Sequence, residues 1–440
     1  MRTPLAPSAL AQELDSQRVL PALDAPAALE PLELAQAVHL AVDRHPSIAD
    51  AIATLAQQSG SIDVARAGYY PVVHVGVGKG DNNGFGISDN GSVATASMSQ
   101  MLYDFGKVSG SVDQAEALVR RQQALVLKQI DTIAQQTANA VVMVHRYQAL
   151  LGIAREQVVS VEKVLETAQL RARAGVSARA DAIQAETRVD SARANLLQVQ
   201  ALHMQWRERL RTLIGGAVPA FVAPLPDQLA NELNVNAPPD PRLLPDVLAA
   251  EAERRTAAAQ LEAARAQRLP TISLDASVNK AIDGINPNTL ERYGTYHSVM
   301  LNFSTTLYQG GALNAQVRSA VAAERAARIR IETARLDASD QARNFREQVL
   351  GAQARLGVLA ERKRSIQETR DLYFEQYTLG TRSILDLLNA EQEIYQAAAD
   401  EEAVNHDLWE SRVGYIGAVG QGRELYRLNN TTVQGMRVLP

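Results

Sequence analysis

Cysteine is absent from this chain of 440 residues. Its absence excludes, within this sequence, thiol catalysis, disulfide bonds, zinc sites built from cysteine and lipids attached through cysteine. Aromatic residues make up only 5% of the chain, which is little material for a thick globular core and suits closely packed helices. No apolar run approaches the ~18–20 residues that a membrane helix needs. A transmembrane β-strand needs only ~9–11 alternating residues, so a membrane location stays open.

Signals for catalysis, metal binding and nucleic-acid binding are also missing. The seven histidines show no H-E-x-x-H or other ligand spacing. No paired catalytic carboxylates, nucleophile elbow or phosphate loop is found. The net charge is −5 and no basic patch carries interleaved aromatics, which argues against a nucleic-acid partner. We therefore expect no enzyme activity, no cofactor and no metal site.

An internal repeat organises the rest of the chain. The segment 377–391, Y-T-L-G-T-R-S-I-L-D-L-L-N-A-E, resembles the segment 172–186, A-R-A-G-V-S-A-R-A-D-A-I-Q-A-E. Four pairs of identical residues recur at a spacing of 205: Gly175 and Gly380, Asp181 and Asp386, Ala185 and Ala390, and Glu186 and Glu391. The sequence therefore predicts two copies of one structural plan.

Hydrophobic periodicity predicts long helices and two pairs of strands. Along 126–168, apolar residues recur at alternating intervals of four and three residues and form an apolar seam. This pattern is typical of left-handed coiled-coil packing. The last twenty residues are polar and are expected to be peripheral. Helices are predicted over 33–68 with a break at Pro46, and over 107–173, 179–214, 241–268, 312–378 and 383–420; strands over 71–78, 93–103, 271–279 and 298–307; and polar loops over 79–92 and 280–296.

These elements divide the chain into five parts: an N-terminal segment 1–32, a first repeat 33–216, a linker 217–240, a second repeat 241–421 and a C-terminal tail 422–440. In the N-terminal segment, Ala9-Leu10-Ala11 resembles a small-residue cleavage site before Gln12, although no apolar run precedes it. We expect the numbering to begin inside a truncated signal peptide. A disordered cytosolic tail is the alternative.

The two longest predicted helices are equal in length, and at ~1.5 Å per residue each is on the order of 100 Å long.

The two pairs of predicted strands indicate that several chains assemble. Apolar and polar residues alternate along the strands, which fits a porin-like arrangement with the apolar face outward. Strand edges in lipid would leave backbone groups unpaired, and four strands are too few to close on themselves. The sequence therefore predicts a symmetric homo-oligomer.

In this order of elements the chain resembles the TolC family of outer-membrane channels. The resemblance covers 34–421 and depends on the duplicated helix–hairpin–helix order, the two turns, and the A-R-A-x-x-x-P and L-Y-x-x-G motifs that occur in both repeats. It implies a mainly α fold with a small membrane β part. A homotrimeric α-helical tunnel would join a twelve-stranded transmembrane β-barrel, with four strands from each chain.

The resemblance also implies roles for residues at the two turns. In the family, the closed state is held by an aspartate in the first turn linked to a tyrosine and an arginine in the second. Those positions are Asp181, Tyr377 and Arg382 here. An acidic constriction aligns with Asp386, where a threefold ring of carboxylates would favour cations.

Plainer interpretations of the same residues stay open. Asp181 and Asp386 each lie in the first turn of a predicted helix, where the helix dipole stabilises a carboxylate whatever its function. Arg382, taken alone, is an ordinary solvated charge. Two positions depart from the family. Asn389 stands where the family has a second acidic residue, and Ala172 stands where the family often has an aromatic residue. The resemblance assigns adaptor docking to the turns themselves, at Gly175, Val176, Gly380 and Thr381.

The predicted function is a passive exit duct in the outer membrane of a Gram-negative cell, extending into the periplasm. Its implied partners are two further copies of the chain, outer-membrane lipid, a periplasmic adaptor (membrane fusion protein), and an inner-membrane ABC transporter or proton-driven efflux pump. The missing cysteine removes the lipid anchor of many drug-efflux members, which favours type I secretion of a protein, such as a repeats-in-toxin protein of the cyclolysin kind. Multidrug efflux of small molecules is the alternative. A soluble elongated coiled-coil scaffold is an alternative of another class, and it leaves the strands unexplained.

Overall fold

The computed structural model describes residues 31–82, 89–219, 222–226, 234–285 and 292–438. The predicted cleavage site at Ala9-Leu10-Ala11 lies outside them. Long helices and one small antiparallel sheet make up most of the described chain, which confirms the predicted mainly α fold class. Among the helices of these residues, none is long and apolar enough to cross a membrane.

The helices and strands follow the duplicated order that the sequence predicts. The first half contains α1 (Leu34–Arg44), α2 (Pro46–Arg66), a 3₁₀ turn (Ala67–Tyr69), β1 (Val72–Asn82), β2 (Asp89–Tyr103), α3 (Lys107–Arg173) and α4 (Arg179–Ile214). The second half contains α5 (Pro245–Ala266), β3 (Thr271–Ile285), β4 (Arg292–Ser304), α6 (Ala312–Leu379), α7 (Ile384–Ala418), the short helix α8 (Gly422–Leu425), β5 (Thr432–Val433) and β6 (Met436–Arg437).

The start of α3 shows how local chemistry fixes a helix boundary. The carboxylate of Asp104 accepts hydrogen bonds from the backbone N–H groups of Gly106, at 3.0 Å, and Val108, at 2.6 Å. Backbone N–H groups in a first turn have no partner within the helix, so this carboxylate stabilises the end. α3 therefore begins at Lys107, as predicted.

The predicted strand ends were wrong. Residues 79–82 and 89–92 belong to β1 and β2, although their glycines, asparagines and aspartates indicated a loop. Backbone pairing depends little on side chains, and Lys79 pairs with Ser92 in the same antiparallel register as the residues before it. β4 likewise begins within the predicted loop 280–296, and it ends at Ser304 rather than at residue 307.

The four long strands form one antiparallel sheet in the order β1-β2-β3-β4. One face carries polar side chains that bond across strands: Ser99 donates to Asp275 at 2.6 Å, and Thr95 donates to Asn279 at 2.7 Å. The opposite face is apolar and exposed, with Val75 81% and Leu301 69% accessible. The sheet therefore has the two unlike faces that the alternating sequence predicts.

The chain divides into two compact units. The sheet unit contains Ala53–Leu125 and Asp246–Ala334, and the turn unit contains 31–52, Val126–Pro245 and 335–438. Most of the predicted apolar seam of α3 is buried in the turn unit, as coiled-coil packing requires. Its buried members are Val126, Ile130, Ile133, Thr137, Ala140, Val144, Leu151, Ala154, Val158, Val161 and Ala168.

The C-terminal residues are packed, so the expectation that they are peripheral was wrong. Tyr426, Leu428 and Val438 are almost completely buried in the turn unit. The Gln434 side-chain amide donates to the carbonyl oxygens of Val42 and His45, both at 3.1 Å. Residue 46 is proline and has no N–H, so the Val42 carbonyl lacks its usual helical partner. Gln434 supplies that missing donor at the break between α1 and α2.

Candidate functional site at the helical turns

The two matched turns have the same backbone structure. In the first, Gly175 donates to the Ala172 carbonyl and Val176 donates to the Arg171 carbonyl. The second repeats this pattern with Gly380 and Thr381 as donors to Tyr377 and Gln376. Gly175 and Gly380 have φ angles of +72° and +81°, a left-handed conformation that glycine adopts without steric cost. The repeated glycines therefore end α3 and α6 in the same way.

A hydrophobic cluster lies directly behind the turns and joins four helices. Tyr377, near the end of α6, is only 2% exposed and packs in this cluster. Burial raises the pKa of its hydroxyl, the Asp181 carboxylate raises it further, and the Arg171 guanidinium lowers it. The other buried members are Val161, Val164, Ala168, Ala185, Val189, Ile384, Leu387 and Leu388. Two of the predicted gate residues, Asp181 and Tyr377, are thus electrostatic neighbours within one chain.

Arg382, the third predicted gate residue, has other neighbours within the chain. Its guanidinium lies over the Tyr373 ring, 4.0 Å from the centroid, in a cation–π contact. Its Nε lies 3.2 Å from a carboxylate oxygen of Asp386, one helical turn further on. The predicted tunnel aspartate is therefore ion-paired with the predicted gate arginine, and both side chains are partly exposed.

The structure adds Arg171, which the sequence reasoning missed. Its Nη1 donates to the Thr378 carbonyl oxygen at 2.7 Å, and its guanidinium carbon lies 5.1 Å from the centre of the Tyr377 ring. The contact joins residues 207 positions apart, and no local pattern marks it. Its position four residues before the repeated Gly175 was the one signal available.

An ion pair between a partly exposed arginine of α6 and a buried carboxylate of α7 lies beyond the turns. Glu391 is 5% exposed, and Arg370 Nη1 donates to its carboxylate at 3.1 Å. Burial raises the pKa of Glu391, while the Arg370 charge lowers it. In the described parts of the chain, no three histidine, aspartate or glutamate side chains are grouped in a way that could hold a metal ion.

The fold agrees with known outer-membrane channels. The solved CusC structure superposes with a TM-score of 0.79 at 16% sequence identity, covering 95% of this chain and 98% of that one. A membrane protein from Pseudomonas aeruginosa superposes with a TM-score of 0.78 at 20% identity, covering 92% and 98% of the two chains. At 16% and 20% sequence identity, the two superpositions show that the fold is shared.

Sequence comparison gives the family. The outer membrane protein TolC of Escherichia coli is 24% identical over 397 residues, which are 84% of this chain and 78% of the relative. The sequence model of the family described as outer membrane efflux protein matches residues 37–216 and 244–421. The two matched segments nearly coincide with the two repeats. This confirms the resemblance to the TolC channels and the predicted location in the outer membrane, extending into the periplasm. The chain belongs to the outer membrane efflux protein family.

Proposed function

We propose that three copies of this chain assemble into a passive exit duct through the outer membrane. The observation that carries this proposal is the four-stranded sheet with its exposed apolar face. β1 and β4 are the two edges of that sheet, and one side of each pairs with no other strand among the described residues. Lipid does not satisfy backbone hydrogen bonds, so each edge needs another strand.

Pairing between copies would satisfy both edges at once. β4 of one copy would pair with β1 of the next, and three copies would close a sheet of twelve strands. The face containing Val75 and Leu301 would then contact lipid, and the face containing Thr95 and Asp275 would line the duct. The helices of the three chains would surround the periplasmic part.

The gate of this duct is formed by the turns. Asp181, Tyr377 and Arg382 hold the resting state closed, and Asp386 lines the passage as a cation-attracting ring. Such a gate would open easily, because contacts between partly exposed charged groups contribute only ~0.2–1 kcal/mol each. Both Arg382 and Asp386 are partly exposed. The binding energy of a docked partner would then suffice to break such contacts.

Docking occurs at the exposed turn residues Gly175, Val176, Gly380 and Thr381. A periplasmic adaptor would bind there and connect the duct to an inner-membrane ABC transporter or proton-driven pump. The energy for transport would come from that pump, so the duct itself needs no catalytic residue. The exported cargo would pass through without chemical change.

Type I protein secretion is the proposed use of the duct, with a secreted protein as cargo. Efflux of small molecules is the second candidate, favoured by the description of the family as efflux proteins. Deletion of the gene tests the two uses, with export of proteins to the medium and sensitivity to toxic compounds as readouts. Loss of a secreted protein at unchanged sensitivity supports secretion, and the reverse result supports efflux.

Assembly is tested by fractionation. We expect trimers in the outer-membrane fraction that dissociate on heating and run as 47.7 kDa chains. A soluble monomer would contradict the proposal and support the coiled-coil scaffold. Replacing Val299 and Leu301 with lysine should abolish membrane insertion, because both side chains belong to the apolar face.

The gate is tested by electrical recording from trimers in a planar bilayer. We expect the double variant Asp181→Ala with Arg382→Ser to raise single-channel conductance above that of the unmutated trimer. Arg173→Ser is a matched control that also removes an exposed arginine near the turns. Conductance equal to the unmutated value in the double variant would remove the gate assignment.

A further inference from the structure

The end of α6 has a carbonyl group that its own turn does not satisfy. The Gln376 carbonyl accepts from Thr381, and the Tyr377 carbonyl accepts from Gly380. The Thr378 carbonyl accepts from Arg171 of α3 instead. Helix C-termini leave several carbonyls without helical partners and carry a partial negative charge. A guanidinium at this point provides both a hydrogen-bond donor and the complementary charge.

The same guanidinium also packs against the gate tyrosine. Its carbon lies 5.1 Å from the centre of the Tyr377 ring, within the range of a cation–π contact. A Cβ atom added to Gly380 would lie 3.4 Å from Arg171 Nη2, so the guanidinium passes closely over the glycine of the second turn. Arg171 therefore lies against the Tyr377 ring, bonds the Thr378 carbonyl and passes close to Gly380.

We propose that Arg171 is a positioning residue of the gate, which fastens the second turn to the end of α3. This inference depends on the proposed gate at Asp181, Tyr377 and Arg382. Arg171 holds the Tyr377 ring beside Asp181, and its bond to Thr378 must break before the second turn separates from the first. It acts through Tyr377 and does not itself line the passage.

The planar guanidinium is needed for this role. Arginine donates from several N–H groups in one plane and stacks on aromatic rings, whereas the lysine ammonium is a compact point charge. Lysine at position 171 would keep the charge near the end of α6 but would lose the simultaneous contact with the ring. We therefore expect Arg171→Lys to be intermediate between the natural residue and Arg171→Gln.

The experiment records open probability and conductance of purified trimers in planar bilayers. Arg171→Gln should raise the open probability by at least about tenfold, the factor expected from losing one charge-assisted hydrogen bond. Arg173→Gln is the matched control, since Arg173 is an exposed arginine at the same helix end. It should leave the open probability unchanged.

A double variant separates a gate role from a general structural one. If Arg171 and Asp181 act together to hold Tyr377, their effects should not add. The double variant Arg171→Gln with Asp181→Ala should then have an open probability no higher than that of the more open single variant. Fully additive effects would overturn the positioning role. Trimers on unheated gels check assembly, and Arg171→Lys provides the test if Arg171→Gln does not assemble.

The two proposals fail in different ways. If Asp181→Ala with Arg382→Ser raises conductance while both Arg171 variants behave like Arg173→Gln, the inference about Arg171 is wrong and the gate stands. If none of the variants at Asp181, Arg382 and Arg171 changes conductance, the gate is wrong and the role of Arg171 fails with it.

Discussion

A pair of histidines, one buried and one partly buried, should make the turn unit sensitive to acid. His145 Nδ1 of α3 lies 2.8 Å from His406 Nε2 of α7, and His406 is 1% exposed. His406 Nδ1 lies 2.8 Å from the Glu402 carbonyl oxygen, which can only accept a hydrogen bond. His406 must therefore carry a proton on Nδ1. When the His406 ring is neutral, its Nε2 accepts from the His145 Nδ1–H. Both rings are neutral in this arrangement.

The surroundings favour the neutral forms. Burial lowers the pKa of both histidines from the ordinary 6.5. His406 further lowers the pKa of His145, and the Arg146 charge further lowers that of His406. The Glu402 carboxylate raises the pKa of His145 in opposition to burial. The hydrogen bond to the Glu402 carbonyl raises the pKa of His406, and so does Asp407, which is paired with Arg146 at 2.8 Å.

The direction of the pH effect follows from these lowered pKa values. Below pH 6.5 the unfolded chain binds protons that the folded chain rejects, so the free energy of unfolding falls as the pH drops toward the folded pKa values. At pH 5.5 each neutral histidine costs at most about 1.4 kcal/mol relative to neutral pH. For the pair the upper limit is about 2.8 kcal/mol, or roughly a hundredfold in the opening equilibrium. Above about pH 8 the histidines of the unfolded chain are neutral as well, so the pair should contribute almost no pH dependence.

The absence of native cysteine allows a direct assay. A single Val144→Cys substitution places a thiol at a buried position next to His145, and its labelling rate by a dithiodipyridine reports local opening. Rates from pH 8 to 5.5, divided by those of the unfolded chain, should rise by up to about two orders of magnitude. Val189→Cys, buried in the cluster behind the turns, is the control reporter.

The histidines are tested by removing them. On the Val144→Cys background, His145→Gln with His406→Gln should abolish most of the acid dependence below pH 6.5. An acid dependence of equal size with and without the two histidines would refute the reasoning. An equal dependence at the Val189→Cys reporter would show that acid loosens the unit by another route.

Three further substitutions should change the denaturant midpoint of the purified protein in predictable directions. Gly414→Ala should destabilise by ~1–3 kcal/mol, because the added methyl would overlap the Phe345 ring. Gly152→Ala should be neutral or stabilising by ~0.5–1 kcal/mol in a helix interior, since nothing in the described part of the chain outside the local helix backbone lies within 4 Å of the new Cβ. Arg370→Met should cost ~3–5 kcal/mol by leaving Glu391 buried and unpaired, and adding Glu391→Leu should recover most of that loss. An unchanged midpoint for Gly414→Ala or Arg370→Met would contradict the packing described.

Much of the fold could be predicted because its determinants are local. Glycine with a positive φ ends α3, α4 and α6, and coiled-coil spacing identifies the buried face of α3. The strand ends were harder, because backbone pairing carried β1 and β2 into a segment whose composition is typical of turns. The C-terminal packing was missed because the apolar residues Tyr426, Leu428 and Val438 are scattered among polar ones.

At the candidate site, too, the features that depend on contacts between distant parts of the sequence were missed. The duplicated turns identified Gly175 and Gly380, and the family resemblance added Asp181 and Tyr377, which the structure places near each other. The contact of Arg171 with the second turn depends on helices from opposite halves of the chain. Its partner is a backbone carbonyl, and a carbonyl leaves no residue type in the sequence by which it could be recognised.

The bond from Gln434 to the break at Pro46 has a consequence for genetics. A chain shortened by seven residues would lose Gln434, and the Val42 carbonyl would be left without a donor. Replacing Pro46 with alanine would restore a backbone N–H at that place, so it should act as an intragenic suppressor of Gln434→Ala and of such truncations. Proline and glutamine, 388 positions apart in the sequence, would then be expected to change together in the course of evolution.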